Sequence, residues 1–227
     1  MTNKLGRPIG DSNVRQLLLE AARLLFCQFP YEKVSTRKIA EQAGVSAALI
    51  QYYFNNKFGL FEAMIIENFE PVTKKALQAK NNGDFDSICE VLRFYYKTMA
   101  EKPEYARLVF NLFTPNNGGG KRLLSPRIIK AIWAPGKTLL FEGVINDVGP
   151  SAKVNADMFR LSFLSLMVFP FLAPDILLKS HKITLNPDFF DQLAKHNLSM
   201  LRSSIGLAPK VPHVSSECCS NHKIQNR

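Results

Sequence analysis

The stretch VSAALIQYYFNNKFGLFEAM, residues 45–64, places an aromatic run between a small turn and a second apolar run that begins with a lysine. Two tyrosines and a phenylalanine in succession would suit a buried strand, but the apolar residues around them recur at helical spacing. Asn55 and Asn56 interrupt the run, and either residue is able to cap a new helix. The stretch therefore predicts two helices joined by a tight turn.

The residues immediately upstream predict one more short helix. Ser35 is a favourable N-cap, and Gly44 suits the left-handed position just past the end of that helix. Ser46 then caps the next helix only two residues later. Ala40 is small where the two helices would cross, and Val45 can pack between them. Two short helices separated by a glycine-containing turn predict a helix-turn-helix.

The rest of the chain also shows helical spacing, and no segment alternates as a strand would. Pro71 is expected to end the fourth helix. The remaining predicted helices cover Asp11 to Phe29, Asp84 to Ala100, Pro103 to Phe113, Pro126 to Asp147, Asn155 to Lys179 and Pro187 to Ile205. The predicted fold is therefore all-α, with a three-helix N-terminal head, a larger helical body and about nine helices.

The composition bounds the class of protein. Of the 227 residues 46% are apolar and 21% charged, which is typical of a folded domain with a sizeable core. The formal net charge of +10 favours an anionic partner. The four cysteines have no framework spacing, which indicates a reducing cytoplasm. The most apolar segment, Leu161 to Leu178, is interrupted by two prolines and an aspartate, so no membrane span is expected.

The leading residues of the second helix in a helix-turn-helix contact base edges in the major groove. Here these residues are Ser46, Ala47 and Ala48, with Gln51 one turn further along. The two alanines can offer only methyl contacts, for instance to a thymine methyl group. Specific hydrogen bonds are therefore expected mainly from Gln51 and Ser46.

The residues after this edge suit the phosphate backbone. Tyr52 and Tyr53 are expected near the duplex surface, where a phenol can reach a phosphate. Lys57 falls in the first turn of the following helix, where free amide groups already favour an anion. The stretch thus combines a base-reading edge, aromatic backbone contacts and a candidate phosphate clamp.

The segments LLLEAARLLF (17–26) and VSTRKIAEQAGVSAALIQYYFNNKFGLFEAMI (34–65) resemble the tetracycline-repressor (TetR) family of bacterial transcription regulators. The resemblance implies homodimers that bind palindromic operators and release the DNA when a small molecule enters the body. It also implies contacts with double-stranded DNA from a defined set of residues. These are Thr36, Arg37, Ser46, Ala47, Ala48, Gln51, Tyr52, Tyr53 and Lys57.

Two positions depart from the family pattern. Tyr53 stands where the family often has histidine, and its phenol can still donate a hydrogen bond to a phosphate. Gly59 stands where an acidic residue is common, and glycine weakens a helix slightly. The tripeptide Gly6 to Pro8 resembles the core of an AT-hook, in which Arg7 would lie along a narrow minor groove. A plain disordered terminus remains the alternative.

The predicted organisation has four parts. Residues 1–10 form a flexible basic arm, residues 11–55 a helix-turn-helix DNA-binding domain, residues 56–206 a helical ligand-binding and dimerisation domain, and residues 207–227 a disordered tail. By the resemblance, the last two long helices pair with their copies in a homodimer. Their two-sided apolar content agrees with that expectation.

Large apolar side chains are abundant in the predicted body. In a helical bundle such residues either fill the core or line a cavity. Together with the resemblance they predict a pocket for an apolar or amphipathic small-molecule effector. Its expected lining residues are Phe94, Tyr95, Phe110, Phe113, Trp133, Phe141, Phe163 and Met167.

Two other motifs are weak. Ala131 to Thr138, AIWAPGKT, fits a relaxed phosphate-loop pattern but has one glycine and no preceding strand. The tail residues His213, Cys218, Cys219 and His222 lack the usual spacing of a zinc site. We therefore expect no enzyme activity, no cofactor and no metal site.

These patterns predict a ligand-responsive transcriptional regulator of the cytoplasm that acts as a repressor. Two rival functions stay open at this point. One is an enzyme with a helical anchoring head, which turnover lost on mutating Lys137 would support. The other is a nonspecific architectural DNA binder.

Overall fold

The computed structural model describes residues 11–82, 84–113, 123–133 and 155–206. The regular elements of these residues are helical, which confirms the all-α prediction. A short 3-10 turn covers Tyr31–Lys33, and a π-helical turn covers Ile129–Trp133. The helices are α1 (Asp11–Gln28), α2 (Thr36–Ala43), α3 (Ala48–Phe54), α4 (Lys57–Asn82), α5 (Phe85–Ala100), α6 (Pro103–Phe113), α7 (Pro126–Ile128), α8 (Ala156–Leu172), α9 (Asp175–Ser180) and α10 (Pro187–Ser204).

The caps of α2 and the start of α4 follow the sequence. Ser35 Oγ accepts a hydrogen bond from the amide of Lys38 at 3.1 Å. Gly44 adopts the left-handed conformation, with φ of 68°, and so turns the chain from α2 towards α3. Asn56, rather than Asn55, caps α4, because its Oδ1 accepts from the amide of Gly59 at 2.9 Å. Local side-chain chemistry therefore sets where these helices begin.

The expected end of the fourth helix at Pro71 is wrong. Helix α4 continues through Pro71 to Asn82. A proline inside a helix removes one hydrogen bond to the carbonyl four residues earlier. Beyond it, Val72, Ala76 and Ala79 recur at helical spacing and are buried in the core. Packing of this apolar face, chiefly against α5, stabilises a helix that the local sequence would end.

The single helix expected from Asn155 to Lys179 is two helices. Helix α8 ends at Leu172, and α9 begins at Asp175. Ala173 has φ of −52° and ψ of 127°, outside the helical region, as expected for a residue before a proline. Of the helix expected from Pro126 to Asp147, the structure describes only the part up to Trp133.

The head packs directly on the body through α1, α4 and α6. Arg23 on α1 is buried, with 6% of its surface exposed, and it bridges two carboxylates. It donates to Glu20 at 2.6 Å and to Glu104 on α6 at 2.9 Å. The hydroxyl of Tyr105, also on α6, donates to the carbonyl oxygen of Ile65 on α4 at 2.6 Å. Helix α6 is thus fixed to both α1 and α4.

An aromatic cluster forms the centre of the body. Tyr95 and Tyr96 on α5 contact Phe171 on α8 edge-on, and Phe171 stacks on Phe190 of α10 at 4.8 Å. Such ring pairs stabilise the core beyond their buried area. No helix within the described residues is both long enough and apolar enough to cross a membrane.

Candidate nucleic-acid interface

Helix α3 has one buried face and one exposed edge. Ile50 and Phe54 point into the head and are buried. Ser46, Ala47 and Ala48 at the start of the helix are exposed. The helix begins at Ala48 with Ala47 as its N-cap, so the prediction that Ser46 caps this helix is wrong. Ser46, one residue before the cap position, accepts at its Oγ from the amide of Ala48 at 3.4 Å. The apolar spacing of this short helix therefore orients its leading edge outward.

The polar and aromatic residues further along α3 continue this edge. Gln51 is exposed, and its Nε2 donates to Asn55 Oδ1 at 3.2 Å. Tyr52 is 73% exposed, which is unusual for a large ring that is not part of an interface. Tyr53 is half-buried and packs edge-on against Tyr52, with 4.8 Å between the ring centroids. Tyr53 therefore supports the ring of Tyr52 from the protein side.

Helix α2 adds two of the predicted residues at its start. Thr36 is half-buried, while the side chain of Arg37 is 87% exposed. Arg37 Nε donates to Glu41 Oε1 at 2.9 Å, one helical turn away. Exposed ion pairs of this kind contribute little to stability, so the guanidinium can leave Glu41 at small cost. Arg37 is thus available to a phosphate or a base edge.

Lys57 is turned towards the protein. Its Nζ donates to the carbonyl oxygens of Tyr31 at 3.0 Å and Val34 at 2.9 Å. The same ammonium lies 4.0 Å from the centroid of the Tyr31 ring. Burial lowers the pKa of Lys57, while nearby Glu32 opposes this effect. An ammonium has three N–H donors, so two of them are already used within the head.

Gly59 has a role that the sequence pattern did not reveal. A Cβ atom at this position would lie 2.1 Å from the carbonyl oxygen of Phe54. The last turn of α3 therefore approaches the first turn of α4 more closely than any side chain permits. This close approach accounts for glycine at position 59, where the family commonly has an acidic residue.

Arg7 and Phe141 lie outside the described residues, as do the side chains of Phe113 and Trp133. The described members of the predicted pocket differ in exposure. Tyr95 and Phe163 are buried, Phe94 and Met167 are partly buried against the core, and Phe110 is 42% exposed. The prediction that these residues line an effector cavity stays a prediction.

A surface groove of about 700 Å³ lies between α8 and α10. Exposed apolar residues surround it, including Met158 (70% exposed) and Leu161 (68%) on α8, and Met200 (44%) on α10. The sequence assigned dimerisation to these two helices without singling out these side chains. Their large exposure beside a groove is typical of a surface that a partner covers.

An exposed recognition-helix edge on a three-helix head defines a helix-turn-helix DNA-binding protein. Residues 18–64 match the sequence model of the family described as bacterial regulatory proteins, tetR family. This match assigns the helix-turn-helix head, residues 18–64, to that family. No group of three or more potential metal ligands occurs in the part of the chain that the structure describes.

Two curated regulators are similar in sequence. The "Probable HTH-type transcriptional regulator YttP" of Bacillus subtilis is 25% identical over 173 residues, which cover 73% of this chain and 80% of that protein. The HTH-type transcriptional repressor AcnR of Corynebacterium glutamicum is 29% identical over 133 residues, covering 59% of this chain and 63% of AcnR.

Solved structures share the fold at lower sequence identity. A TetR-family transcription regulator from Marinobacter aquaeolei has a TM-score of 0.62 at 17% identity, covering 83% of this chain and 95% of that one. FadR from Bacillus subtilis, solved in complex with stearoyl-CoA, also has a TM-score of 0.62, at 15% identity, covering 83% of this chain and 98% of FadR.

Proposed function

We propose that this chain is a homodimeric, sequence-specific repressor that a small, largely apolar molecule releases from a palindromic operator. The observation that carries the proposal is the outward leading edge of α3, where Ser46, Ala47, Ala48 and Gln51 are all exposed. A repressor of this class requires such an edge to be unobstructed, because it must enter the major groove.

The chemistry of the edge assigns a role to each residue. Ala47 and Ala48 would contact thymine methyl groups, and Gln51 would form a bidentate pair with adenine. Ser46 and Arg37 would supply further hydrogen bonds to bases or phosphates. The exposed phenol of Tyr52 would donate to a phosphate and fix the position of the helix on the duplex.

Dimerisation would bring two such heads to one operator. The exposed apolar residues of α8 and α10, with the groove between them, supply a surface that a second copy can cover. The two α3 helices would then enter successive major grooves about 34 Å apart. The name of the relative AcnR as a transcriptional repressor supports this direction of regulation.

The helical body would bind the effector. Its apolar and aromatic interior favours an apolar or amphipathic molecule. FadR of Bacillus subtilis, which shares the fold, holds stearoyl-CoA, an amphipathic molecule with a long acyl chain. The effector would favour a dimer in which the separation of the α3 helices no longer matches the operator. Operator DNA must then weaken effector binding by the same factor.

The deciding experiment selects bound duplexes from random DNA with the full-length protein. A palindromic consensus is expected, bound at least ~10³-fold more tightly than random duplex at physiological salt. Equal affinity for the selected and random duplexes would make the protein an architectural DNA binder instead.

A second measurement identifies the effector. Native mass spectrometry of the purified protein is expected to show a retained compound, which is then titrated with and without bound operator. Identical affinity in the two titrations would disprove induction by that compound.

A further inference from the structure

We propose that Lys57 is a positioning residue of the DNA-binding head, which fixes α2 relative to α3, and not a phosphate clamp. The inference rests on the proposed DNA binding and changes the role of one residue in it. Three contacts of a single ammonium carry the argument: the carbonyl oxygens of Tyr31 and Val34, and the ring of Tyr31.

The first step concerns what Lys57 holds. Tyr31 begins the short turn that connects α1 with α2, and Val34 follows that turn. Val34 is buried and directly precedes Ser35, the N-cap of α2. The Tyr31 carbonyl also accepts from the amide of Val34 at 3.3 Å within the 3-10 turn, and the Val34 carbonyl lies between that turn and α2. A cation that binds both carbonyls therefore holds the path of the chain into α2. The contacts of Lys57 therefore hold in place the chain that leads into the Ser35 cap of α2.

The second step concerns the ring beneath the ammonium. Tyr31 stacks on Phe26 of α1 at 5.5 Å and packs edge-on against Phe61 of α4 at 5.3 Å. A cation over the face of a ring that other rings support is held by electrostatic attraction as well as by its hydrogen bonds. The connecting turn is thereby attached to α1 and α4 together.

The third step connects these contacts with α3. Lys57 is the first residue of α4, and the turn before it contains Asn55, which has a φ of 68°. Gly59, two residues later, permits the close approach to the carbonyl of Phe54 at the end of α3. The first turn of α4 therefore holds α3 on one side and, through Lys57, the entry to α2 on the other. A change at Lys57 alters the relation between Arg37 and the leading edge of α3.

The test compares Lys57→Met with Lys33→Met. Methionine keeps an unbranched apolar side chain but removes the N–H donors. Lys33 is the control because it is an exposed lysine in the Tyr31–Lys33 turn, which Lys57 contacts. Operator affinity is measured across a range of salt concentrations, well below the melting temperature of each variant. Lys57→Met is expected to weaken operator binding ~10-fold or more, because an altered head geometry misplaces the base-reading edge of α3. The salt slope is expected to equal that of the Lys33→Met control, because the ammonium of Lys57 makes no phosphate contact.

Two outcomes would overturn the proposal. A phosphate contact at Lys57 would reduce the salt slope by about 0.9 relative to the control. A role in stability alone would lower the melting temperature and leave the operator affinity of the folded protein unchanged.

A measurement on the unmutated protein keeps the proposal testable if Lys57→Met fails to fold. Nitrogen-edited NMR of the lysine ammonium groups is expected to show slow hydrogen exchange for Lys57 in the DNA-free protein, and little change when operator is added. Rapid exchange, or a hydrogen-bond coupling to a DNA phosphate, would overturn the assignment. Failure of the random-DNA selection would disprove the proposed function separately, because the exchange rate in the DNA-free protein is measured without operator.

Discussion

The hydroxyl of Tyr96 on α5 lies 2.5 Å from the carbonyl oxygen of Leu166 on α8 and donates a hydrogen bond to it. Pro170 occupies the position four residues after Leu166, and its nitrogen has no hydrogen to donate to that carbonyl. The same hydroxyl accepts from Nδ2 of Asn197 on α10 at 2.8 Å. One phenol therefore compensates for a proline in the last turn of α8 and connects three helices.

Replacing Tyr96 by phenylalanine should destabilise the protein by about 1–3 kcal/mol, because it leaves two buried polar groups without this partner. The free energy of unfolding is measured by chemical denaturation at fixed protein concentration. Tyr52→Phe is the matched control, since the ring of Tyr52 is 73% exposed, and it should change stability little. Equal effects of the two substitutions would mean that the hydroxyl of Tyr96 is not structurally important.

Gly59→Ala should lower stability by about 1–3 kcal/mol, the typical effect of forcing extra atoms into a packed site. Helix propensity alone predicts the opposite sign, because alanine is the better helix former. The new Cβ would lie 2.1 Å from the carbonyl oxygen of Phe54, so the turn between α3 and α4 must shift. A thermal melt decides between the two signs, and a raised melting temperature would contradict the close approach.

Gln51→Ala should relax base preference at one or two operator positions, at a cost of about 1–3 kcal/mol for the preferred base. Selection from random DNA with the variant measures this preference directly. Gln42→Ala is the control, because Gln42 is an exposed glutamine on α2 and outside the predicted reading edge. An unchanged consensus for Gln51→Ala would mean that the recognition register is misplaced.

Leu161→Glu should make the protein monomeric if α8 and α10 form the proposed dimer interface, because burying an unpaired carboxylate in an apolar interface is strongly unfavourable. The isolated chain should remain folded, since this side chain is 68% exposed on α8. Sedimentation velocity reports the oligomeric state, and circular dichroism reports folding. Leu77→Glu on α4, where leucine is 47% exposed, is the control. A dimer that persists in Leu161→Glu would place the interface elsewhere.

The thiol of Cys27 should react slowly in the native protein. Burial, reinforced by the charge of Glu104, raises its pKa from 9.0 to about 12, so the reactive thiolate is scarce at neutral pH. The pKa of Cys27 is higher in the folded protein than in the unfolded chain. Its contribution to stability is therefore complete below pH 9 and is lost as the pH rises towards 12. Alkylation followed by peptide mass spectrometry measures the rate. Modification of Cys27 as fast as in urea would contradict its protection.

The helix-turn-helix was largely predictable because its determinants are local. The Ser35 cap and the left-handed Gly44 act within one helical turn, and the apolar spacing of α3 orients its edge. The expected end at Pro71 was wrong because burial of Val72 and Ala76 outweighs a lost backbone hydrogen bond. Such burial depends on the packing of α5, which begins only after α4 ends and so lies outside the local pattern around Pro71.

By itself, the sequence determined the all-α class, the Ser35 cap of α2 and the exposed edge of α3 that is proposed to read DNA, because each depends on neighbours within a few positions. Only the tertiary structure decided the direction of the Lys57 ammonium, the need for glycine at position 59 and the partner of the carbonyl that Pro170 leaves free. The physical reason is that the ammonium, Gly59 and that carbonyl meet atoms brought to them by the folding of other segments.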